Sequence, residues 1–582
     1  MTRYINKIKT GNRMTKKTSY LAYYCAPDGF QVSVKRLLGR KMAGNSFLRA
    51  VIDHTDPDTE FLHGFTPHKN AFQTFDAFVK DVKPGLESRW CPPQRTDLLA
   101  EAKILYTPDP NLQDFANMRV KAPLDSYSIC GVTHTTASHA VLELVQSLYR
   151  APIMPWDALI CTSQSVRTTV NTILEQEHEV LTWRLGKHTK PELCQLPIIP
   201  LGIHTKSFSR NHKQYLKSRK KLNIDYDETV FLFVGRLSPY TKAHPYSMYA
   251  GLQEVAKRTG KKITLIECGW YEADAVKEDM DACKREVCPD VRCIDVDGRN
   301  FTDRDSCWGA GDVFVSLSDN IQETFGLTPV EAMAVGMPVL LSDWDGYKEL
   351  MTDGVEGFKV PTAMLDDTAE FSQRYHADAT YGRYCSSVSL MTGIDIEVFA
   401  DRAEKLVESK DLRRKMGERG KMRAKAVFDW SVVYSSYEEL WTELDDIRLS
   451  ARQNKERKAI LETSPSVVAS RMTPSDLFPT YPSVFLTKDT CIKSVPGKTI
   501  DDFVRLASLN IFLRSKEKLP KQEGVGALLQ FLSTSEGASI GALHKHFKTT
   551  LIHMKKIVAV LIKFGLVTVA DWQVDAGADL HK

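Results

Sequence analysis

The chain has 582 residues, 43% hydrophobic and 26% charged, a composition that excludes a disordered polymer, a collagen-like repeat and a disulfide-knit miniprotein. At about 100–200 residues per domain, this length predicts three or four domains. The 77 basic and 73 acidic residues leave a net charge of +4, so the whole-chain balance points to no partner and function has to be read from local sites. The 12 cysteines are scattered without a CxxC pair. Cys283, Cys288 and Cys293 lack a nearby histidine or fourth cysteine and read as small buried residues suited to a reducing compartment. No apolar run approaches the ~18 residues of a membrane span, and a cytoplasmic location is expected.

The N-terminus carries Arg3, Lys7, Lys9, Arg13, Lys16 and Lys17, followed by the apolar stretch from Tyr20 to Ala26. That outline is shared with signal peptides, but the stretch is short and holds Tyr20, Tyr23 and Tyr24, so a first β-strand is predicted. Apolar runs at 102–106, 126–130 and 158–161 alternate with amphipathic segments such as 140–148, the pattern of a parallel sheet covered by helices. This first domain spans 1–205. A basic stretch follows (Lys206, Arg210, Lys213, Lys217, Arg219, Lys220, Lys221), read as a solvated connector helix, with a phosphate or membrane-surface contact as the alternative. The alternation restarts with strands expected at 229–234, 263–267, 313–317 and 338–342, giving a second domain over 206–427. The fold class is α/β: two doubly wound domains whose shared cleft is the default site. A crossing helix is expected at 428–446, a charged, Ser/Thr/Pro-rich linker at 447–500, and an accessory helical module at 501–582. That module reads as three helices and a strand, and its ending near Leu561–Val567 resembles a winged helix-turn-helix. Residues 522–582 hold six Lys/Arg against five Asp/Glu, so a nucleic-acid partner is not expected and a protein-interaction or packing role is.

Three patterns follow predicted strands in the second domain. In the first, Gly235 permits a tight turn while Arg236 and Lys242 project from one strand-to-helix loop. Two such cations could neutralise a diphosphate without a metal; they could equally be surface charges at a helix start. In the second, Glu323 precedes a short helix. Thr328-Pro329-Val330-Glu331 reads as a capping box with proline at the first helical position, and the helix stops at Gly336. A capping glutamate needs no ligand, whereas a loop carboxylate at a cleft is a functional candidate. In the third, Asp343 and Asp345 have a metal-binding spacing, but a turn closed by Gly346 is the preferred reading.

Taken in order, Gly235-Arg236-Leu237, Lys242, Glu323-Thr324-Phe325-Gly326 with Glu331, Gly336 with Pro338, and Asp353 through Pro361 resemble glycosyltransferase family 4. The segments Gly39–Gly44, Thr133-His134-Thr135, Cys161–Ser163 and Ile199–Gly202 resemble that family's acceptor-side half, so the resemblance covers roughly residues 20–445. It implies a GT-B fold, two Rossmann-like domains that transfer a sugar from a nucleotide donor to a glycan or lipid-linked acceptor with retention, without metal or cofactor. It further implies that Arg236 and Lys242 hold the diphosphate, Glu331 the ribose, and Glu323 the donor sugar with backbone amides of Phe325, Gly326 and Leu327. His134 would stand on the opposite wall, and Gly44 would let an N-domain loop approach the diphosphate. Lys242 lies six residues after Arg236, where many relatives have five and then a glycine; here Ala243 and His244 follow.

With Glu331 assigned to the ribose, one carboxylate remains near the sugar, and a front-face displacement fits better than a nucleophile-and-acid pair. The basic segments 3–17 and 206–221 would suit a peripheral position at the inner face of a membrane if the acceptor is lipid-linked. The alternative from another class is a regulatory protein that senses a nucleotide sugar and uses its winged-helix module to bind a partner or DNA.

Overall fold

The computed structural model describes residues 16–31, 39–187, 190–369, 380–513 and 519–570. Arg3, Lys7, Lys9 and Arg13 of the N-terminal basic segment lie outside the described residues. The chain divides into two compact units, residues 1–471 and 472–582.

Unit one contains two six-stranded parallel sheets. The first is built from β1 (Lys17–Tyr24), β2 (Glu60–Phe65), β3 (Glu87–Cys91), β4 (Ile104–Thr107), β5 (Ser128–Val132) and β6 (Ala158–Ile160), in the order β3-β2-β1-β4-β5-β6. The second is built from β7 (Thr229–Leu237), β8 (Ile263–Tyr271), β9 (Arg292–Asp297), β10 (Val313–Ser316), β11 (Val339–Ser342) and β12 (Gly357–Val360), in the order β12-β11-β10-β7-β8-β9. Read from its other edge, the second sheet repeats the order of the first, so each is a complete Rossmann-like sheet with a switch point between its first and fourth strands. The central strands β4, β5 and β10 are buried along their whole length, as helices on both faces require. This is the GT-B arrangement, and the tyrosine-bearing N-terminal stretch is indeed its first strand.

The helices that position the site are α1 (Gly39–His54), α2 (Gln164–Leu185), α3 (His212–Lys221), α4 (Phe301–Ala310), α5 (Leu327–Val335) and α6 (Trp430–Ser450). The chain crosses between the domains near residues 203 and 429, and the crossovers bond to each other: Ile203 N–H to Phe428 O at 2.8 Å and Trp430 N–H to Ile203 O at 3.1 Å. Beyond them α6 returns to the first domain. Trp430, Val433, Tyr437, Trp441 and Leu444 join the core formed by Tyr23, Phe47 and Tyr106, so this helix completes a hydrophobic face the first domain cannot cover alone.

Two expectations need correction. Residues 447–471 are no linker: Ala451, Ile447, Leu461 and Val468 pack with Val120, Leu124, Met154 and Trp156, and Arg452 and Arg457 pair with Asp125 and Glu192. The basic stretch 206–221 is only partly solvated. Arg219 turns inward to Asp312 at 2.9 Å, and Arg210 donates to Gly311 O, so two of its cations hold α3 against the second sheet. Among the described residues, no helix is long and apolar enough to cross a membrane.

Unit two contains a three-stranded antiparallel sheet, β14 (Ala538–Ser539), β13 (Cys491–Ser494) and β15 (Val567–Val569), in that order, with α7 (Gln522–Ser533), α8 (Ile540–His546) and α9 (Leu551–Lys563). The three helices and last strand fall where the sequence places them. β13 lies in the segment read as linker, because its pairing partners are distant in sequence and its alternation covers only four residues.

Candidate active site

A cavity of about 390 Å³ opens between the two Rossmann-like domains, outside the carboxyl ends of their strands. Arg236, Lys242, Glu323, Phe325, Gly326, Leu327 and Glu331 line it from the second domain, and His134 from the first. Arg236 belongs to the end of β7 rather than to the loop beyond it, while Lys242 stands in the following turn.

The Lys242 turn is held by the loop after β10. Asp319 Oδ1 accepts from His244 N–H at 3.1 Å, Asn320 Nδ2 donates to Tyr240 O at 3.0 Å, and Ser318 Oγ donates to Lys242 O at 3.4 Å. These contacts bring Lys242 Nζ to 3.2 Å from Glu323 Oε2. Burial alone would raise the Glu323 pKa, but the Lys242 ammonium, with the N–H groups of Thr324 and Phe325, holds it below the ordinary range. Arg236 is paired as well: Nη1 meets Glu272 Oε1 at 2.7 Å and Nη2 donates to Thr241 O at 3.3 Å.

The helix after Glu323 starts differently from the sequence reading. Its N-cap is Gly326 at φ +97°, no side chain caps it, and Pro329 is its third residue. A Cβ on Gly326 would lie 2.3 Å from Tyr347 Cε1, so glycine is required here both by conformation and by space. Glu331, the fifth residue of α5, is therefore released from capping and faces the cavity. Burial raises its pKa to about 7, against the opposing charge of Arg304, which lines the same cavity.

His134 follows β5 and its Nε2–H donates to Pro108 O at 2.9 Å, leaving Nδ1 as an acceptor. Burial, partly offset by that bond, lowers its pKa to about 4, so the ring is neutral. It is thus both the satisfied loop histidine and a cavity wall. Its own carbonyl accepts from Thr324 Oγ1, which ties the Glu323 loop to the first domain.

Gly44 does not act as expected. It lies inside α1, away from the cavity lining, and a Cβ there would stand 1.9 Å from Gly29 O. Its lack of a side chain serves helix packing, and Gly39, Arg40, Met42 and Ala43 line the cavity instead. The third pattern is a turn: Asp345 takes φ +41° before the short helix Tyr347–Leu350, and Asp343 pairs with Lys359 at 3.6 Å. Burial, reinforced by the nearby Glu323, lifts the Asp345 pKa to about 7.

Sequence reasoning missed Glu272, Trp270 and Arg304. The β7–β8 register sets Arg236 opposite Trp270, and Glu272 follows one residue after β8. Thirty-six positions separate Glu272 from Arg236, so only strand pairing reveals the contact. At the same strand ends, a Cβ on Gly269 would lie 1.8 Å from Gly235 O; these paired glycines keep the strands close where the cavity opens.

The chain is similar to lipopolysaccharide 1,2-N-acetylglucosaminetransferase of Salmonella typhimurium, 30% identical over 176 residues that make up 29% of this chain and 44% of that protein. It is also similar to an uncharacterized glycosyltransferase of Methanocaldococcus jannaschii, 25% identical over 214 residues, 34% of this chain and 52% of the relative. The chain thus spans about half the length of the curated relatives it matches. Among solved structures, Anabaena Alr3699/HepE in complex with UDP is similar at 16% identity and a TM-score of 0.46, covering 73% of this chain and 100% of that one. Residues 228–378, from the start of the second sheet past β12 and including Arg236, Lys242, Glu323 and Glu331, match the family model described as Glycosyl transferases group 1.

Proposed function

We propose that this protein is a retaining glycosyltransferase that moves a hexosyl-type sugar from a nucleotide-sugar donor to a glycan or lipid-linked acceptor, without a metal. The observation that carries this reading is the Lys242–Glu323 pair at 3.2 Å in a cavity that Arg236 and Glu331 also line. Lys242 and Arg236 carry the positive charge that a departing diphosphate requires, and their anchoring by Glu323, Glu272 and the Asp319–Asn320 loop orients them before the donor arrives. Glu331, in its carboxylate form, accepts from ribose hydroxyls. Glu323 remains ionised beside Lys242 and accepts from donor-sugar hydroxyls, with the amides at the start of α5 completing that wall.

Glu323 and Glu331 are the carboxylates among the described lining residues, and Glu323 is committed to an ion pair. A front-face displacement follows: the acceptor hydroxyl attacks the anomeric carbon on the face the diphosphate leaves, and the leaving oxygen takes its proton. Neutral His134 accepts a hydroxyl hydrogen at Nδ1 and orients the sugar from the first domain. A mass-spectrometric screen of nucleotide sugars against glycan and lipid-linked acceptors is the test. Product is expected for at least one pair and is abolished by Glu323→Ala. Donor binding without turnover across the screen, or a product rate unmoved by Glu323→Ala, would sink the reading.

A further inference from the structure

The C-terminal unit carries an exposed surface that holds lysines and no carboxylate. α8 and α9 are consecutive helices joined by residues 547–550, a turn in which Lys548 takes φ +48°. Ile540 and Leu543 of α8 and Met554, Val558 and Leu561 of α9 enter the unit's core, which sets the opposite face of each helix outward. On α9 that outer face consists of Ile552, His553, Lys556, Ala559 and Lys563, all exposed, with Ile552 retaining 60% of its accessible surface. Lys545 on α8 and Lys548 in the turn are exposed as well.

From Gly537 to Ala570 the sequence contains no aspartate or glutamate, but it does contain Lys545, Lys548, Lys555, Lys556 and Lys563. The described carboxylates of the unit (Asp476, Asp489, Asp501, Asp502, Glu523 and Glu536) all precede this stretch, and Asp571, Asp575 and Asp579 follow it. The near-balanced total over residues 522–582 therefore conceals a stretch, 537–570, that holds five lysines and no carboxylate, and α8 packs against α9 within it.

We propose that this face binds duplex nucleic acid, with α9 lying in the major groove and the surrounding lysines on backbone phosphates. Thirteen residues make α9 about 20 Å long, and the major groove admits one helix. Small Ala559 at the middle of the face permits close approach, and Lys556 and Lys563, seven residues apart, lie on the same side to meet phosphates. α9 is the second helix of the pair, the one that helix-turn-helix modules insert. A bilayer fits less well, because the face offers Ile552 as its one large apolar side chain and carries no tryptophan or phenylalanine to bury.

The test uses the full chain and a fluorescein-labelled 24-base-pair DNA duplex, followed by anisotropy between 50 and 200 mM NaCl. Saturable binding at 50 mM is expected, weakening at least tenfold by 200 mM. Lys556→Glu with Lys563→Glu should weaken it at least tenfold at 50 mM and reduce the log–log salt slope by about 2. Both side chains are exposed, so the circular dichroism spectrum should be unchanged. Lys213→Glu with Lys217→Glu, exposed on α3 of the other unit, should leave duplex affinity as it was. No binding at 50 mM would overturn the proposal. So would affinity insensitive to the α9 pair, an equal loss from the α3 pair, or tighter binding to phosphatidylglycerol vesicles or poly-glutamate than to the duplex. None of these outcomes depends on the transfer reaction.

Discussion

Lys242 and Glu323 hold each other, and that mutual dependence governs how either can be tested. Under the proposed function Lys242→Ala removes a cation assigned to the departing diphosphate, so kcat at saturating donor should fall roughly 10²–10³-fold. It also removes the charge that keeps buried Glu323 ionised, so the residual rate should vary with pH where that of the parent protein does not. A kcat left unchanged at saturating donor would remove Lys242 from the leaving-group role. Glu331 makes a second, oppositely directed prediction. Its folded pKa of about 7 lies above the ordinary carboxylate value, so the folded protein holds a proton that the unfolded chain has lost at neutral pH. Stability from this group is present in acid and declines as pH rises through 7. Glu331→Gln should therefore raise the Tm of the ligand-free protein at pH 8 and leave it nearly unchanged at pH 5. If Glu331 takes the proposed ribose contact, the parent's donor KM should fall as pH rises from 6 to 8, because the carboxylate is the accepting form, and the Gln variant should lose that dependence. The residue types and their order were legible in the chain because strand-end loops are written contiguously. Glu272 was not, since its contact with Arg236 depends on the pairing of two strands.

At the scale of elements, α5 shows where local rules mislead. Thr328 and Glu331 have capping-box spacing, yet the helix begins two residues earlier, from a glycine whose positive φ no side-chain cap would tolerate. Tyr347 packing against Gly326 decides that start, and it comes from a segment about twenty residues away. Gly326→Ala should thus cost roughly 1–3 kcal/mol by chemical denaturation, since strain and overpacking act together, and should lower activity by displacing the Glu323 loop. In the first domain, Arg119 and Asp157 form a bidentate pair at 2.6 Å with both side chains fully buried, and Asp157 also accepts from Ile129 and Met154 N–H. Asp157→Ala would strand the guanidinium, and a loss of about 3–5 kcal/mol in urea unfolding is expected. Neither residue stood out in the sequence, because an isolated arginine and an isolated aspartate 38 positions apart carry no pattern.

At the scale of the molecule, the first domain is finished by chain that arrives after the second. α6 supplies seven side chains to its core, and residues 447–471 add a further apolar patch and two ion pairs. A chain ending at residue 446 should expose Val120, Leu124 and Trp156 and melt at lower temperature than one ending at residue 471, which keeps every contact of the first unit. Equal melting temperatures would show that the 447–471 segment contributes nothing to the domain. The layout of two Rossmann-like sheets was readable because each buried strand is a contiguous apolar run and each loop carries its own turn chemistry. The Ser/Thr/Pro-rich stretch after α6 misled because composition reports solvation, whereas its few apolar side chains find partners only on a surface built more than 300 residues earlier. The same distinction runs through the site and the C-terminal unit. Which side chains follow which strand, and where carboxylates are missing from a run of lysines, are properties of neighbours along the chain. Which cation meets which carboxylate, which helix face is left bare, and whether a glycine serves a ligand or a helix contact depend on approach between distant segments. Those distances exist only once the core has formed.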